Sequence, residues 1–445
     1  MFAYYLRLAI RNQRRNPGLT ALMIGAVALG IAVCVMTLTM YQAMAGNPIW
    51  WKNDVLHAVT IDSWDPVRPW DDENAELPPP ELTYRDATTL IESDIPSRAV
   101  IMHKSADVLV VDDEAVRPQR SISRVTTADF FEMFDVPFLY GGGWDKAADR
   151  SPAPVIVLSN SMNQRLFAGV NSVGRSLRWN DREFRVIGVI DDWMPLPKFY
   201  DLNNGSLDET EDAFVPWGWS YTAELSSAGN TNCWKSEEIN NYRDFIGSEC
   251  IWIQMWVELP NAATRERMQA YLDNHVTEQK KAGRFERPMN NRLTKVDQWL
   301  VDNEVVQDDN RVLVYLAFAF LAVCLLNTVG LLLAKFLNSA AITGVRRALG
   351  ASRRQVFFQH LTEVGVISVI GAAAGLALGA LMLRGLKALY TTDPDRVGGY
   401  QALAHVDTTS VITALLLALA ATLAAGLYPA WRIGRIPPAV YLKSQ

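Results

Sequence analysis

Apolar and polar residues are segregated along this chain rather than mixed. Four windows contain no charged residue, and they cover residues 19–40, 312–334, 364–383 and 408–431. A hydrocarbon core about 30 Å thick is crossed by about 20 apolar residues at the helical rise per residue. Because each window reaches that length, the pattern predicts an integral membrane protein with an α-helical transmembrane bundle of four spans.

The segment between the first two spans has a different pattern. Short runs with period-two alternation predict strands, whereas other runs have helical periodicity. We expect strands at residues 108–112, 154–158 and 184–190, and helices at 129–134, 160–167 and 262–281. The sequence therefore predicts a large α+β domain inserted between spans 1 and 2.

One part of this domain has no regular pattern. Residues 197–249 are rich in glycine and polar residues, which predicts a long loop. The segment nevertheless includes the aromatic residues Trp217, Trp219, Tyr221 and Trp234. They either fill a core or form a contact surface for a partner or an apolar ligand.

The end of the inserted domain is expected to form a stalk. Apolar residues between 296 and 306 recur at helical spacing. We predict a helix there that runs continuously into span 2. Such a helix would be a rigid connection between the membrane part and the outer part.

The four cysteines occupy two environments. Cys34 and Cys324 lie inside predicted spans, where a thiol behaves as a small apolar group. Cys233 and Cys250 lie in the inserted domain, where an oxidising compartment allows them to pair. We predict a disulfide between Cys233 and Cys250, with two independent buried thiols as the alternative.

Basic residues mark one side of the membrane. Residues 1–18, 335–360 and 432–445 contain twelve Lys and Arg and no Asp or Glu, whereas the whole chain has a net charge of −6. Cytoplasmic flanks of spans collect Lys and Arg. We therefore expect both termini and the loop between spans 2 and 3 in the cytoplasm, and the inserted domain outside.

The first 18 residues are amphipathic. Phe2, Tyr5 and Ile10 share a helical face opposite several arginines, which predicts a helix on the cytoplasmic membrane surface. Residues 43–45 resemble a signal-peptidase site, but the preceding apolar run exceeds 20 residues and is too long for a signal peptide. Span 1 is therefore expected to stay as an anchor.

Few residues indicate catalysis. The chain contains no phosphate-binding loop, no H-E-x-x-H, no C-x-x-C and no G-x-S-x-G, and its five histidines lack ligand spacing. We therefore predict no enzyme activity, no metal site and no cofactor bound by the chain itself. The composition also argues against a disordered chain and against a nucleic-acid-binding protein.

Span 3 contains two further features. Glu363 lies near its start, one turn after His360, and we expect this ionisable residue to cap a helix or bind a partner. Gly371, Gly375 and Gly379 recur every four residues and line one helical face. Small residues let helices approach closely in lipid, so this face is expected to pack against another helix of this chain or of a second chain.

Several stretches resemble the FtsX-like permease family, in particular the MacB type of ABC transporter permease. Residues 344–356 look like the G-[IV]-R-R-A-L-G-A segment of that family, and residues 426–438 are similar to its G-x-x-P-A-x-x-A-x-x-x-P ending. Residues 130–189 resemble the MacB-like periplasmic domain in the order and spacing of their motifs. The residues that the resemblance assigns to ATPase coupling are Gly344, Val345, Arg346, Arg347, Ala348, Leu349, Gly350, Arg353 and Arg354.

The resemblance implies a permease subunit of the bacterial inner membrane without a fused ATPase. A separate ATPase subunit would bind ATP and Mg and dock near residues 340–356, and two permease chains would pair as a homodimer or heterodimer. ATP-driven motion would reach the periplasmic domain by mechanotransmission. Membrane lipids would surround the spans.

Three functions are compatible with this plan. The leading expectation is export of a substrate from the periplasm with an adaptor protein and an outer-membrane channel. The alternatives are a lipoprotein-extracting permease of the LolC or LolE type and an FtsX-like regulator of a periplasmic cell-wall hydrolase. The last is disfavoured because such regulators typically have much smaller outer domains.

One position departs from the family pattern. The family commonly has an acidic residue two positions before the first glycine of the coupling motif, where this chain has Ile342. The polar part of ATPase coupling is therefore expected to differ here, or a paired chain carries the acidic residue.

The expected domain order follows from these observations. It consists of a cytoplasmic amphipathic helix (1–18), span 1 (19–44), the MacB-like periplasmic domain with its stalk (45–310), span 2 (311–337), a cytoplasmic coupling segment (338–360), span 3 (361–386), a short periplasmic loop (387–407), span 4 (408–431) and a cytoplasmic tail (432–445).

Overall fold

The computed structural model describes residues 2–305, 308–390 and 408–435. The chain forms two compact units. The helical unit comprises residues 1–44 and 306–445, and the sheet unit comprises residues 45–305. Most of the predicted loop 387–407 and of the predicted tail 432–445 lies outside the described residues.

The helices are numbered in chain order. They are α1 Phe2–Arg15, α2 Pro17–Ala45, α3 Tyr84–Leu90, α4 Phe130–Met133, α5 Lys146–Arg150, α6 Asn160–Phe167, α7 Trp219–Thr222, α8 Tyr242–Gly247, α9 Ala262–Lys281, α10 Val296–Asp302, α11 Asp308–Asn338, α12 Ala340–Ala348, α13 Arg353–Tyr390 and α14 Thr408–Arg435.

The strands all belong to the sheet unit. They are β1 Leu56–Thr60, β2 Leu82–Thr83, β3 Arg98–Leu109, β4 Gln119–Thr126, β5 Phe138–Gly141, β6 Val155–Ser159, β7 Ser176–Trp179, β8 Arg182–Ile190, β9 Ala213–Pro216, β10 Ile251–Glu258 and β11 Arg292–Lys295.

Within the described residues, three helices are long and apolar enough to cross a membrane. They cover Pro17–Tyr41, Arg311–Asn338 and Arg353–Gly385, and they coincide with predicted spans 1, 2 and 3. The fourth predicted span corresponds to α14, which forms 28 residues of helix. Its role as a span stays a prediction.

The sheet unit is built on one mixed sheet of 11 strands. Their order is β11-β1-β10-β3-β4-β9-β6-β8-β5, with β2 paired to β10 and β7 paired to β8. The β4–β9 and β6–β8 pairs are parallel, and the other pairs are antiparallel. Together with the helices on it, this sheet confirms the α+β class predicted for the inserted domain.

Both faces of the sheet are covered by apolar side chains. On β3, Ile101 belongs to one core cluster, whereas its neighbours Val100 and Met102 belong to the other. The first cluster includes residues of α3, α6 and α9, and the second includes residues of α4 and α10. Because successive strand residues point to opposite faces, the central strands are buried on both sides.

The predicted helices α6 and α9 have capped ends that explain their bounds. The Ser159 hydroxyl accepts a hydrogen bond from the amide of Met162 at the start of α6. At the start of α9, Asn261 and Thr264 form a reciprocal capping box. Side chains of this kind satisfy the first amides of a helix, which have no partner within it.

The continuous stalk helix predicted for residues 296–306 is wrong. The helix α10 begins at Val296 but ends at Asp302, and Glu304 has a left-handed backbone with φ of 48°. The amide of Val305 returns to the carbonyl oxygen of Leu300. This hydrogen bond closes the helix end, so the chain leaves the helix before α11 begins.

The long loop predicted at residues 197–249 is also wrong in part. The apolar strand β9 lies inside this segment, where it is fully buried between β4 and β6, and α7 and α8 follow. Trp217 and Trp219 are buried, whereas Tyr221 is exposed. The sequence of β9, AFVP, has no alternation of apolar and polar residues, so only its place in the sheet identifies it.

The three predicted strands are found with shifted bounds. The expected strand at 154–158 is β6, and the one at 184–190 lies within β8. The strand expected at 108–112 is the end of β3, which stops at Leu109. Val110 then makes one isolated bridge to Arg178.

Candidate coupling site

The predicted coupling segment folds as a short helix followed by a turn. Residues 344–348 lie on α12, and Arg353 and Arg354 begin α13 as exposed side chains. Gly350 has a left-handed backbone with φ of 103°, and the amide after it returns to the carbonyl oxygen of Arg346. A residue without Cβ takes this conformation readily, so the glycine allows the sharp reversal between α12 and α13.

One face of α12 is apolar and exposed. Ile342 and Val345 lie on α12, and Leu349 directly follows its last residue, so the three are spaced by three and four residues; Leu349 is 84% exposed. Residues at this spacing lie on the same side of a helix. Clustered large apolar side chains at a protein surface mark contact sites, so this face is the candidate docking surface of the segment.

Arg346 points to the neighbouring helices of the same unit. Its guanidinium donates hydrogen bonds to Oε1 of Gln359 on α13 and, at 3.2 Å, to the hydroxyl of Tyr4 on α1. Arg347 is half-buried on the same helix, and Gly344 is buried. Arg346 therefore joins α12 to α1 and α13.

Glu363 is at the centre of a buried polar cluster, the Glu363 cluster, which consists of Asn12, Gln13, Lys335 and Glu363. Nδ2 of Asn12 donates to Oε1 of Glu363 at 2.6 Å, and Nε2 of Gln13 donates to its backbone oxygen at 3.3 Å. Nζ of Lys335 donates to Oε1 of Gln13 at 2.7 Å and lies 3.9 Å from the Glu363 carboxylate. The cluster connects α1, α11 and α13.

His360 borders this cluster without joining it. Its Nδ1 lies 3.9 Å from the Glu363 carboxylate, beyond hydrogen-bonding distance, and its ring packs 4.3 Å from the ring of Phe336. Neither ring nitrogen has a hydrogen-bond partner within the described residues. His360 therefore contributes packing to this site, and the polar contacts belong to Glu363.

The glycine face of span 3 packs against α2 of the same chain. A Cβ at Gly375 would lie 2.8 Å from the backbone oxygen of Ala28, and one at Gly371 would lie 2.7 Å from Val27. At Gly379 the nearest atom is 3.5 Å away, on Ala32. The sequence left open whether this face packs against a helix of the same chain or of a second chain. In the structure it packs against a helix of the same chain.

In the sheet unit, the structure joins Cys233 and Cys250 by a disulfide. Next to it, Glu249 accepts hydrogen bonds from Arg85 at 2.7 Å and from Arg284 at 2.8 Å. Arg284 also donates to Asp86 at 2.7 Å. These contacts connect the disulfide region with α3 and with the end of α9, and no motif in the sequence indicated them.

A second cluster that the sequence analysis missed lies in the core of the sheet unit. Arg124 of β4 is fully buried and donates to the carboxylates of Asp201 and Glu211. Lys198 donates to Glu211 at 2.6 Å, and the hydroxyl of Tyr200 donates to the same carboxylate at 3.0 Å. We call these five residues the Arg124 cluster. Four of its members lie within residues 198–211, but Arg124 is more than 70 positions away, so no local pattern could reveal it.

Burial and neighbouring charges both shift the pKa values in this region. Burial alone would raise the pKa of Glu211, but the charges of Arg124 and Lys198 hold it well below its usual value. Burial lowers the pKa of Lys198 to about 8, although Glu211 opposes the change. Burial and then the charge of Asp201 raise the pKa of Glu81 to about 8.

Neither cluster offers the geometry of a metal site. Within residues 2–305, 308–390 and 408–435, no group of three or more His, Cys, Asp or Glu side chains is arranged to hold a metal ion. In the Arg124 cluster, basic side chains already occupy the carboxylates. The Glu363 cluster holds α1, α11 and α13 together, and α12 presents its exposed apolar face.

Two family models match this sequence. Residues 20–275 match the MacB-like periplasmic core domain, and residues 314–438 match the FtsX-like permease C-terminal domain. The first match covers more than half of the chain, and the two together leave out only short segments.

Curated relatives are similar over part of their length. A macrolide export ATP-binding/permease protein MacB from Syntrophobacter fumaroxidans is 23% identical over 368 residues, which are 72% of this chain and 46% of that protein. An uncharacterised ABC transporter permease protein of Mycobacterium tuberculosis is 33% identical over 100 residues, which are 22% of this chain and 11% of that protein. The chain thus spans less than half the length of these relatives.

Two solved extramembrane domains are similar to part of this chain. The periplasmic region of MacB from Actinobacillus actinomycetemcomitans aligns with 56% of this chain and 92% of its own, at 15% identity and a TM-score of 0.36. The extracellular domain of the noncanonical ABC-type transporter YknZ from Gram-positive bacteria aligns with 54% of this chain and 100% of its own, at 13% identity and a TM-score of 0.32.

Proposed function

The chain belongs to the family of FtsX-like, MacB-type ABC transporter permeases, and on this premise we propose that it couples ATP hydrolysis on a separate ATPase subunit to motion of its periplasmic domain. The chain itself supplies no catalytic group in this proposal. ATP and Mg bind to the ATPase partner.

The apolar face of α12 is the observation that carries the proposal. Ile342, Val345 and Leu349 are exposed together on the segment that resembles the coupling motif of the family. Ile342 occupies the position where that motif commonly has an acidic residue, so the contact with the ATPase is apolar here. Docking would bury these three side chains and supply the hydrophobic free energy of the contact.

The helical unit also contains a path for rigid-body motion. Arg346 binds α12 to α1 and α13, and the glycine face of α13 packs closely on α2. Displacement of α12 by the ATPase would therefore move α13 and α2 with it. Packed helices transmit shifts of this kind because their close-packed side chains do not deform continuously.

We place both termini and α12 in the cytoplasm and the sheet unit in the periplasm. The basic residues of the three predicted cytoplasmic segments support this orientation. A second permease chain, a periplasmic adaptor and an outer-membrane channel complete the assembly. The substrate leaves the periplasm through this channel without crossing the inner membrane.

The experiment is affinity purification of the tagged full-length chain in mild detergent, with identification of the proteins that accompany it. We expect an ATPase subunit and a periplasmic adaptor. Leu349→Asp should lose the ATPase, whereas the apolar replacement Leu349→Met should retain it. Arg346→Glu should retain the ATPase but lose transport, because it disconnects α12 from its neighbours.

Other outcomes would select other functions. Recovery of a bound lipoprotein instead of an adaptor would favour lipoprotein extraction, and activation of a cell-wall hydrolase would favour the regulatory role. Absence of any ATPase, also after crosslinking, would contradict the transporter proposal as a whole.

A further inference from the structure

An apolar groove of about 700 Å³ lies between α1 and the first half of α13. Tyr5, Leu6 and Ile10 form its wall on α1, and residues between Phe358 and Ile370 form its wall on α13. Phe358 and Ile370 are twelve residues apart, which corresponds to about 18 Å along an α-helix. This length is close to half of a hydrocarbon core about 30 Å thick, which is the depth of one leaflet.

The groove is held open by polar contacts beside it. Asn12 and Gln13, on the second half of α1, both bind Glu363 of α13. Gly365 lines the groove, and a Cβ added there would meet no atom within 4 Å. The groove therefore has room for a further apolar group, and the two helices that form it are fixed to each other.

Arginines lie close in sequence to the groove-lining residues on both α1 and α13. Arg354 lies four residues before Phe358 and seven before Leu361, so it shares the groove face of α13 by helical periodicity. On α1, Arg7 lies three residues before Ile10, and Arg14 lies four residues after it. All three arginines are exposed and make no salt bridge within the described part of the chain. Residues 1–18 and 335–360 contain no Asp or Glu.

We propose that this groove binds an anionic phospholipid of the cytoplasmic leaflet. One acyl chain lies along α13 between Phe358 and Ile370, and the phosphate group binds Arg354 and the arginines of α1. A neutral lipid would fill the groove but would leave the basic rim without a counter-charge. Basic pockets between membrane helices on the cytoplasmic side are suited to anionic head groups for this reason. The inference rests on the proposed orientation of α1, and it does not require an ATPase.

The test is native mass spectrometry of the purified full-length chain in detergent, titrated with phosphatidylglycerol or with phosphatidylcholine. We expect one phosphatidylglycerol to bind more tightly than phosphatidylcholine. Arg354→Gln should weaken its binding about fivefold, the effect of one basic residue near an anionic head group. Gly365→Leu should fill the groove and abolish the tight site.

Two variants serve as matched controls. Arg353→Gln removes the adjacent exposed arginine, which is rotated by about 100° from the groove face, and should leave binding unchanged. Gly330→Leu places a leucine at an exposed glycine of α11, where an added Cβ would also meet no atom within 4 Å. This variant should bind the lipid as tightly as the unmodified chain does.

Three results would overturn the proposal. These are equal affinity of the unmodified chain for both lipids, unchanged binding in Gly365→Leu, and efficient crosslinking between two copies of a Val369→Cys variant in native membranes. The last result would show that a second chain occupies the groove. Because the measurement uses the permease chain alone, its failure would leave the transport proposal standing.

Discussion

Asn12 and Glu363 are 351 positions apart in the chain, and Nδ2 of Asn12 donates a hydrogen bond of 2.6 Å to Oε1 of Glu363. The Glu363 side chain is 2% exposed. A buried carboxylate is costly unless donors satisfy its oxygen atoms. The bond thus fixes α1, which the sequence assigned only to the membrane surface, against α13.

Replacement of Glu363 should loosen α1. In Glu363→Leu, Asn12 loses its acceptor, and we expect a loss of about 1–3 kcal/mol in the stability of this contact. Arg14 and Arg15 are exposed trypsin sites at the end of α1, so detachment should speed their cleavage. Glu363→Gln keeps an oxygen that accepts from Asn12 and should be cleaved nearly as slowly as the unmodified chain. Equal rates for all three proteins would contradict the assigned contact.

The glycine face of α13 should tolerate alanine at one position and not at another. Gly375→Ala places a Cβ 2.8 Å from the backbone oxygen of Ala28, and we expect overpacking to cost about 1–3 kcal/mol. Gly379→Ala meets its nearest atom at 3.5 Å and should be nearly neutral. Loss of helicity on heating, followed by circular dichroism in detergent, measures the difference. If Gly375→Ala had the same melting temperature as Gly379→Ala, the α2–α13 contact would be looser than described.

Arg124 should be essential for the stability of the sheet unit. Arg124→Met leaves the carboxylates of Asp201 and Glu211 buried without their main partner, and removal of one member of a buried ion pair costs about 3–5 kcal/mol. Arg120→Met, at an exposed position of the same strand, is the control and should change little. Denaturant unfolding followed by tryptophan fluorescence of the full chain gives both values. Similar midpoints for the two variants would refute this role.

Glu81 should make the stability of the sheet unit depend on pH. Burial raises its pKa in the folded state to about 8, above the value in an unfolded chain. Its stabilising contribution is therefore complete below about pH 4.5 and is lost as the pH rises through about 8, by at most about 1.4 kcal/mol per pH unit. Glu81→Gln should be more stable than the unmodified chain at pH 8.5 and no more stable at pH 4. The comparison uses the same denaturant titration, with the exposed Glu114→Gln as control.

The disulfide should stabilise the segment that it closes. Cys233 and Cys250 are 17 positions apart, and closing a loop of that size contributes about 3 kcal/mol in the chain-entropy account. Reduction, or the Cys233→Ser Cys250→Ser double variant, should therefore lower the unfolding midpoint of the sheet unit. Cys34→Ala is the control because Cys34 is a free thiol in the helical unit. An unchanged midpoint after verified reduction would contradict the prediction.

Several elements could be predicted because their cause is local. The charge-free windows of spans 1 to 3 fall on helices long enough to cross a membrane, since length and composition alone fix that property. The helices α6 and α9 coincide with their predicted ranges because each has periodicity and a cap within a few residues. The prediction of a continuous stalk helix was wrong because the helical pattern continues in the sequence, whereas a hydrogen bond from the amide of Val305 to the carbonyl oxygen of Leu300 closes the helix.

The sequence by itself determined that this chain has several apolar helices, an inserted α+β domain and a basic segment within the part that matches the FtsX-like family. Only the tertiary structure decided that the face of Gly375 meets α2, that Asn12 binds Glu363 and that Arg124 lies between Asp201 and Glu211. Periodicity, caps and composition act within a few residues along the chain. Close packing and buried ion pairs join residues that are distant in sequence, and their partners are defined only when the chain is folded.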